Sequence, residues 1–204
     1  MNSHTQSLTI IQYNTNHSRN KVTMPFLQAT DPGIHHILAI QEPWKNPQGC
    51  YTANHPGYYT HFPQDPAARV CFYISKKLAP MDWSVIDHSP NLCTLSIQLG
   101  DTHLHIHNCY NPPSTTSSHD LGTLLPLLPG ALNREGEHLL LGDFNLHHPT
   151  WGGPNTQDQH KAADSLITTT QSYSLQLITP PGTVTWETPR SCQTLDLTFG
   201  TPWI

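Results

Sequence analysis

Residues 138–153 read HLLLGDFNLHHPTWGG, and the change of character inside this stretch decides how the rest is read. His138-Leu139-Leu140-Leu141 is a strand-length apolar run, and a buried strand needs only a turn at its end. Instead the run stops on Gly142-Asp143-Phe144-Asn145. Asp143 and Asn145 lie two apart, so on extended backbone both side chains point to one side. One brings a charge and the other a neutral donor and acceptor. The pair could hold a phosphate or a water molecule; the spacing by itself does not choose.

Four other apolar runs end in the same way. Leu8–Tyr13 runs out at Asn14, and Ile34–Ile40 at Gln41-Glu42-Pro43. Thr102–Tyr110 ends at Tyr110-Asn111-Pro112-Pro113, and Thr194-Leu195 leads straight into Asp196. Taken singly, each polar residue reads as a turn or cap residue. Five strands ending in Asn, Glu, Tyr, Asp/Asn and Asp form a set. Gathered on one rim, they would make a cluster of oxygen ligands and hydrogen-bond donors.

Further runs predict strands over Arg69–Ser75, Trp83–Asp87, Leu92–Leu99, Leu175–Thr179 and Thr183–Trp186, most bounded by Pro, Gly, Asn or Asp. Leu92–Leu99 and Thr102–Tyr110, joined by Gly100-Asp101, read as an antiparallel hairpin. Helices are fewer: Lys21–Thr30, a Leu-rich Asp120–Asn133 broken by Pro126 and Pro129, and Asp158–Ser172. Residues 111–119, NPPSTTSSH, read as a loop. No interdomain linker or repeat is visible, so residues 1–204 are expected to form one domain of two stacked sheets flanked by helices. A doubly wound nucleotide fold fits less well, because helices do not alternate regularly with strands.

Composition narrows the function classes. Charged residues are 11% of the chain, against about 25% in ordinary globular proteins. The formal charge is −5, with only nine Lys and Arg. Tight non-specific gripping of many phosphates is disfavoured, so any nucleic-acid reading rests on a few local contacts or a bound cation. Cys50, Cys71, Cys93, Cys109 and Cys192 are odd in number and lack a C-x-x-C pair, which reads as free thiols in a reducing, intracellular setting. MNSHTQSLTIIQYN lacks the basic start and long apolar core of a secretory signal. No window approaches ~18 consecutive apolar residues, so no membrane span is expected.

The series IIQYNTNHSRNKV, LAIQEPW, ARVCFYIS, HNCYNPP, LLLGDFNLHHPTWGG and TLDLTFG, running in order from residue 10 to residue 200, resembles the exonuclease–endonuclease–phosphatase superfamily. Within it, GDFN followed by HHPTW is similar to the apurinic-like endonuclease domain of non-LTR (LINE-type) retrotransposons. The resemblance implies an α/β, four-layer α-β-β-α sandwich of two mainly antiparallel sheets flanked by helices. It implies a DNA-nicking phosphodiesterase using Mg²⁺ or Mn²⁺, a hard cation suited to oxygen ligands. Glu42 would ligate the metal with Asn14 beside it. Asp143 would position or deprotonate water, Asn145 would hold a phosphate oxygen, and Tyr110 would donate to the phosphate. Asp196 would orient a histidine. Arg69 and Arg19 would contact DNA, with a structural ion pair as the alternative for Arg69.

The resemblance also exposes a gap. The family's partner histidine lies in a C-terminal Ser-Asp-His motif, and no S-D-H occurs in this sequence. The expectation is a C-terminally truncated domain lacking its last strands, either a fragment or a degenerate copy. Two alternatives follow: an inactive remnant, and a superfamily phosphoesterase acting on a small substrate. A third, a zinc hydrolase, would need His103, His105 and His107, which alternate along one strand face, to converge on a metal. The competing reading for these three is a polar sheet face. His147 and His148 read as shaping the loop after GDFN, with Trp151 as its packing anchor. Action on DNA would place the protein in the nucleus, though no basic targeting cluster is present. Oligomeric state leaves no mark in the sequence.

Overall fold

The computed structural model describes residues 7–113, 122, 124–153, 156, 160–189, 191–202 and 204. A four-stranded sheet has the order β1-β2-β4-β3, built from β1 (Ile10–Asn14), β2 (Ile37–Gln41), β3 (Tyr58–His61) and β4 (Val70–Ser75). A six-stranded sheet has the order β5-β6-β7-β8-β12-β9. Its members are β5 (Trp83–Ser89), β6 (Leu92–Leu99), β7 (Thr102–Tyr110), β8 (Glu137–Asp143), β9 (Gln176–Leu177) and β12 (Asp196–Gly200). A small hairpin pairs β10 (Trp186–Thr188) with β11 (Ser191–Gln193). The helices are α1 (Met24–Ala29), α2 (Leu128–Leu132), α3 (Pro149–Gly152) and α4 (Lys161–Ser172).

The sheets are mixed. In the small sheet β1 and β2 run parallel, while β4 is antiparallel to both β2 and β3. In the large sheet β7 and β8 run parallel and the other pairings are antiparallel. Apolar side chains sort into three cores that define the layers. Ile37, Ala39, Val70, Phe72 and Ile74 meet Leu95, Ile106, Leu139 and Leu141 between the sheets. Leu140, Phe144 and Phe199 on the outer face of the large sheet lie under Leu128, Leu132, Trp151 and Leu166. Leu38, Ile40, Cys71 and Tyr73 on the outer face of the small sheet lie under Leu27, Ala53 and Phe62. This is the expected α-β-β-α layering. Burying full side chains of this kind contributes about 1.5–3 kcal/mol each.

Polar bonds lock the two sheets together at depth. Asn108 Nδ2 donates to the carbonyls of Ile40 and Cys71 at 3.2 and 2.9 Å, and Gln41 Nε2 donates to Asn108 Oδ1 at 2.6 Å. A buried amide saturated in this way fixes the registration of one sheet on the other.

Several elements differ from their sequence reading. The predicted helix over Lys21–Thr30 is a π-turn, Arg19–Thr23, followed by short α1. Pro25 has no N–H to donate to the turn before it. The Leu-rich segment is likewise cut into a 3₁₀ turn, Leu125–Leu127, and α2, each with proline in its first turn. The predicted strand Thr183–Trp186 only begins at Trp186, because Pro180 to Thr183 form a turn and Thr185 spends its hydroxyl on the backbone N–H groups of Leu195 and Asp196. Strands β3 and β11 and helix α3 were not anticipated. Residues 114–119 of the predicted loop, and the starts of two predicted helices at Asp120 and Asp158, lie outside the described residues. No described helix is long and apolar enough to cross a membrane.

Candidate active site

Both parallel pairs deliver their C-terminal ends to one rim. In the small sheet Asn14 pairs with Gln41, the residue before Glu42. In the large sheet Tyr110 pairs with Asp143, and Asp143 faces Asp196 across the antiparallel neighbour. Asn14, Glu42, Tyr110, Asp143, Asn145 and Asp196 all line a single cleft of about 440 Å³. Residues distant in the chain are thus gathered by topology.

The GDFN turn is shaped by its glycine. Gly142 has φ +151°, and a Cβ there would stand 1.9 Å from the Cys109 carbonyl oxygen, so only glycine lets β8 lie this close to β7. Asn145 follows at φ +48° and Glu42 sits at φ +46°. Side chains seldom occupy this left-handed region, and such outliers cluster at functional sites.

Asp143 is held by two donors. Asn14 Nδ2 bonds Oδ2 at 2.8 Å and the Asn145 backbone N–H bonds Oδ1 at 3.0 Å. Burial, then the facing Asp196 carboxylate, outweigh these bonds and push Asp143 up to about 7. Burial also raises Asp196, against hydrogen bonds from Gln12 and Thr185 that lower it. Asn145 is anchored through its Nδ2 to the Asn111 carbonyl at 2.8 Å. Tyr110 gives its hydroxyl to Glu42 Oε1 at 2.8 Å; burial, then this carboxylate, push the phenol well up, so it remains a proton donor.

The two arginines differ in placement. Arg69 Nη1 lies 3.3 Å from Glu42 Oε1 and its guanidinium 5.5 Å from the Tyr110 ring centroid, so it is paired at the cleft. Arg19 stacks on Trp44, its guanidinium carbon 4.4 Å from the ring centroid. Sequence reading missed Gln12, whose Nε2 reaches Asp196 Oδ1 at 2.5 Å and Gln41 Oε1 at 2.8 Å. Its position two before Asn14 on the same strand was the available signal. It also missed His17, which touches Glu42, and Thr185 and Trp186, which line the cleft without any motif.

The donor set fits a hard cation. It consists of carboxylate and amide oxygens, and among the described residues no group of three or more His, Cys, Asp or Glu closes into a metal cage. One or two protein carboxylates, with water and substrate oxygens completing the shell, is how Mg²⁺ is commonly held. His103, His105 and His107 do not converge on a metal; their ring contacts are with each other and with His138.

Residues 104–204 match the family model described as endonuclease-reverse transcriptase. No curated protein matches the chain in sequence. Among solved structures, the endonuclease domain of TRAS1, a telomere-specific non-LTR retrotransposon, superposes with a TM-score of 0.70 at 17% identity, over 96% of this chain and 86% of that one. The AP endonuclease LMAP from Leishmania major gives 0.72 at 13% identity, over 96% and 79%. The catalytic domain of Xenopus laevis APE2 gives 0.67 at 14% identity, over 95% and 82%. Residues 104–204 carry the family match, and the chain order and layering are those of the endonuclease/exonuclease/phosphatase fold, similar to the retrotransposon-type endonucleases within it.

Proposed function

We propose that the cleft hydrolyses phosphodiester bonds and nicks DNA with the help of Mg²⁺ or Mn²⁺. The observation that carries this reading is the meeting of six polar residues from five strand ends in one cleft. Glu42 and Asn14 would hold the cation, which when bound supplies charge neutralisation at the scissile phosphate and the departing oxygen.

The chain's own groups take the remaining parts. Asp143, with its carboxyl raised to about 7, is matched to accepting a proton from the attacking water near neutral pH. The Asn145 amide is fixed beside it to hold a phosphate oxygen. Tyr110, kept protonated by burial, is a donor toward the developing negative charge. Gln12 restrains Asp196. That Asp196 is engaged by an amide, where the family pattern places an imidazole, favours slow turnover and keeps a second reading open, that of a domain which binds nucleic acid without cutting it.

Conversion of supercoiled plasmid to open circle is the test. The expected result is Mg²⁺-stimulated nicking that is lost on Glu42→Ala and on Asp143→Ala. Nicking that survives both substitutions overturns the assignment. Plasmid retention without nicking selects the binding reading, and turnover of small phosphoesters alone selects a different substrate class.

A further inference from the structure

Three groups converge on one oxygen of Glu42. Oε1 accepts from Tyr110 at 2.8 Å and from Arg69 Nη1 at 3.3 Å, and His17 Nε2 lies 3.1 Å from it, which leaves Oε2 as the oxygen for a cation. Tyr110 ends β7 and Arg69 immediately precedes β4. His17 comes from a segment whose backbone is bent to reach it.

That segment has an unusual backbone. Asn16 and His17 sit consecutively at φ +45° and +53°, facing Glu42 at φ +46°, and none of the three is glycine. Left-handed conformations are unfavourable for residues with a side chain and persist where surrounding bonds over-determine them. Those bonds are present: His17 N–H donates to the Glu42 carbonyl at 2.8 Å, and Thr15 donates through N–H to Gln41 and through its hydroxyl to Glu42. On its far side the imidazole Nδ1 lies 3.3 Å from the Pro43 carbonyl. The ring therefore lies between the Glu42 carboxylate and the Pro43 carbonyl, and donates to Oε1 in the tautomer that carries its proton on Nε2.

We propose that His17 is a positioning residue, which pins Glu42 Oε1 so that the carboxylate meets a divalent cation already oriented. The inference rests on the reading of Glu42 as a metal ligand. Partners of metal ligands set the ligand's orientation, and their removal typically costs about 10–100-fold in metal affinity.

Mn²⁺ binding to the intact chain, followed by the electron paramagnetic resonance signal of the free ion, separates the two ideas. His17→Ala is expected to weaken Mn²⁺ binding about tenfold or more, and His17→Gln, whose amide can donate to Oε1, to return it to within about threefold of the parent. In a nicking assay the loss should appear as a higher metal requirement, with turnover at saturating metal nearly unchanged. Glu42→Gln should remove binding. If Glu42→Gln binds Mn²⁺ as the parent does, the metal reading itself fails. If Glu42→Gln loses binding while His17→Ala keeps it, the positioning role alone fails. Should His17→Ala not fold, His17→Leu against His17→Gln decides, and equal affinities overturn the proposal.

Discussion

Strands β7 and β8 carry two polar clusters, one on the outer face of the large sheet and one at its rim, and the two satisfy their polar atoms in opposite ways. On the outer face, His138 Nε2 lies 3.0 Å from the Arg134 carbonyl, which can only accept. His138 Nδ1 then accepts from His107 Nε2 at 2.9 Å, His107 Nδ1 accepts from the Thr94 hydroxyl at 2.8 Å, and Thr94 accepts from His88 Nε2 at 2.8 Å. One carbonyl thus sets the tautomer of a whole chain of neutral rings. His105 repeats the pattern between Ser96 and the Glu135 carbonyl. At the rim, Asp143, Asn145 and Glu42 also have partners, yet each faces an open cleft. Function is legible where polar groups retain capacity toward a cavity, and structure where they close on one another.

The sharpest way to break this contrast is to exchange the effects of substitution. Asp143→Asn is expected to cut nicking about 10²–10⁴-fold, the range for removing a general base, without lowering the melting temperature at neutral pH. His107→Ala, at a side chain with no exposed surface, strands Thr94 and His138 and opens a cavity. A loss of about 2–4 kcal/mol in urea unfolding is expected. Metal binding at the rim of the folded fraction should survive. A stability loss at Asp143 larger than that at His107 would remove the distinction.

Much of the rim was legible in the sequence because strand ends obey a period of two and end at polar residues. Asn14, Glu42, Tyr110 and Asp143 each end or follow a strand, and that pattern is local; Asp196 instead opens β12 and reaches the rim because β12 runs antiparallel to β8. Gln12 and His17 were not found, for different reasons. Gln12 looks like the polar half of an alternating strand, and its bond to Asp196 spans 184 residues of sequence. His17 sits in a polar turn whose left-handed backbone no propensity favours. The histidines of β7 were readable as one face of a strand. Their direction, fixed by the carbonyls of Arg134 and Glu135, depends on where the α2–β8 turn lands.

Proton linkage separates the clusters by sign. Burial, then the neighbouring His138, His105, His88 and Arg134, hold His107 well below the ordinary imidazole value; burial also lowers His105, His138 and His88, with Glu137 and Asp87 acting in the opposite sense on the last two. A depressed imidazole contributes stability that is present above the unfolded value near 6.5 and is lost as pH falls below it. Asp143 is raised to about 7, so its contribution is complete below the unfolded value near 4 and is lost as pH rises through 7. The two slopes oppose each other between pH 4 and 6.5, each by up to about 1.4 kcal/mol per pH unit and proton. Without divalent metal, Asp143→Asn should therefore steepen the rise of stability with pH, and His107→Gln should expose the fall. Parallel curves for both variants would mean that the clusters are not protonically distinct.

The finest test deletes one hydrogen-bonding group from each cluster. Ser96→Ala removes the hydroxyl 2.8 Å from His105 Nδ1, and about 1 kcal/mol of stability should go with it. Nicking by the folded protein should stay within about twofold, since Ser96 lies on the outer face, away from the rim. Gln12→Ala removes the amide bridging Gln41 and Asp196 at a half-buried, cleft-lining position that water can reach. Its cost in stability should stay within about 0.5 kcal/mol, while nicking falls severalfold as Asp196 loses its restraint. The closed cluster then reports in stability and the open one in rate, from changes of similar size on the same sandwich.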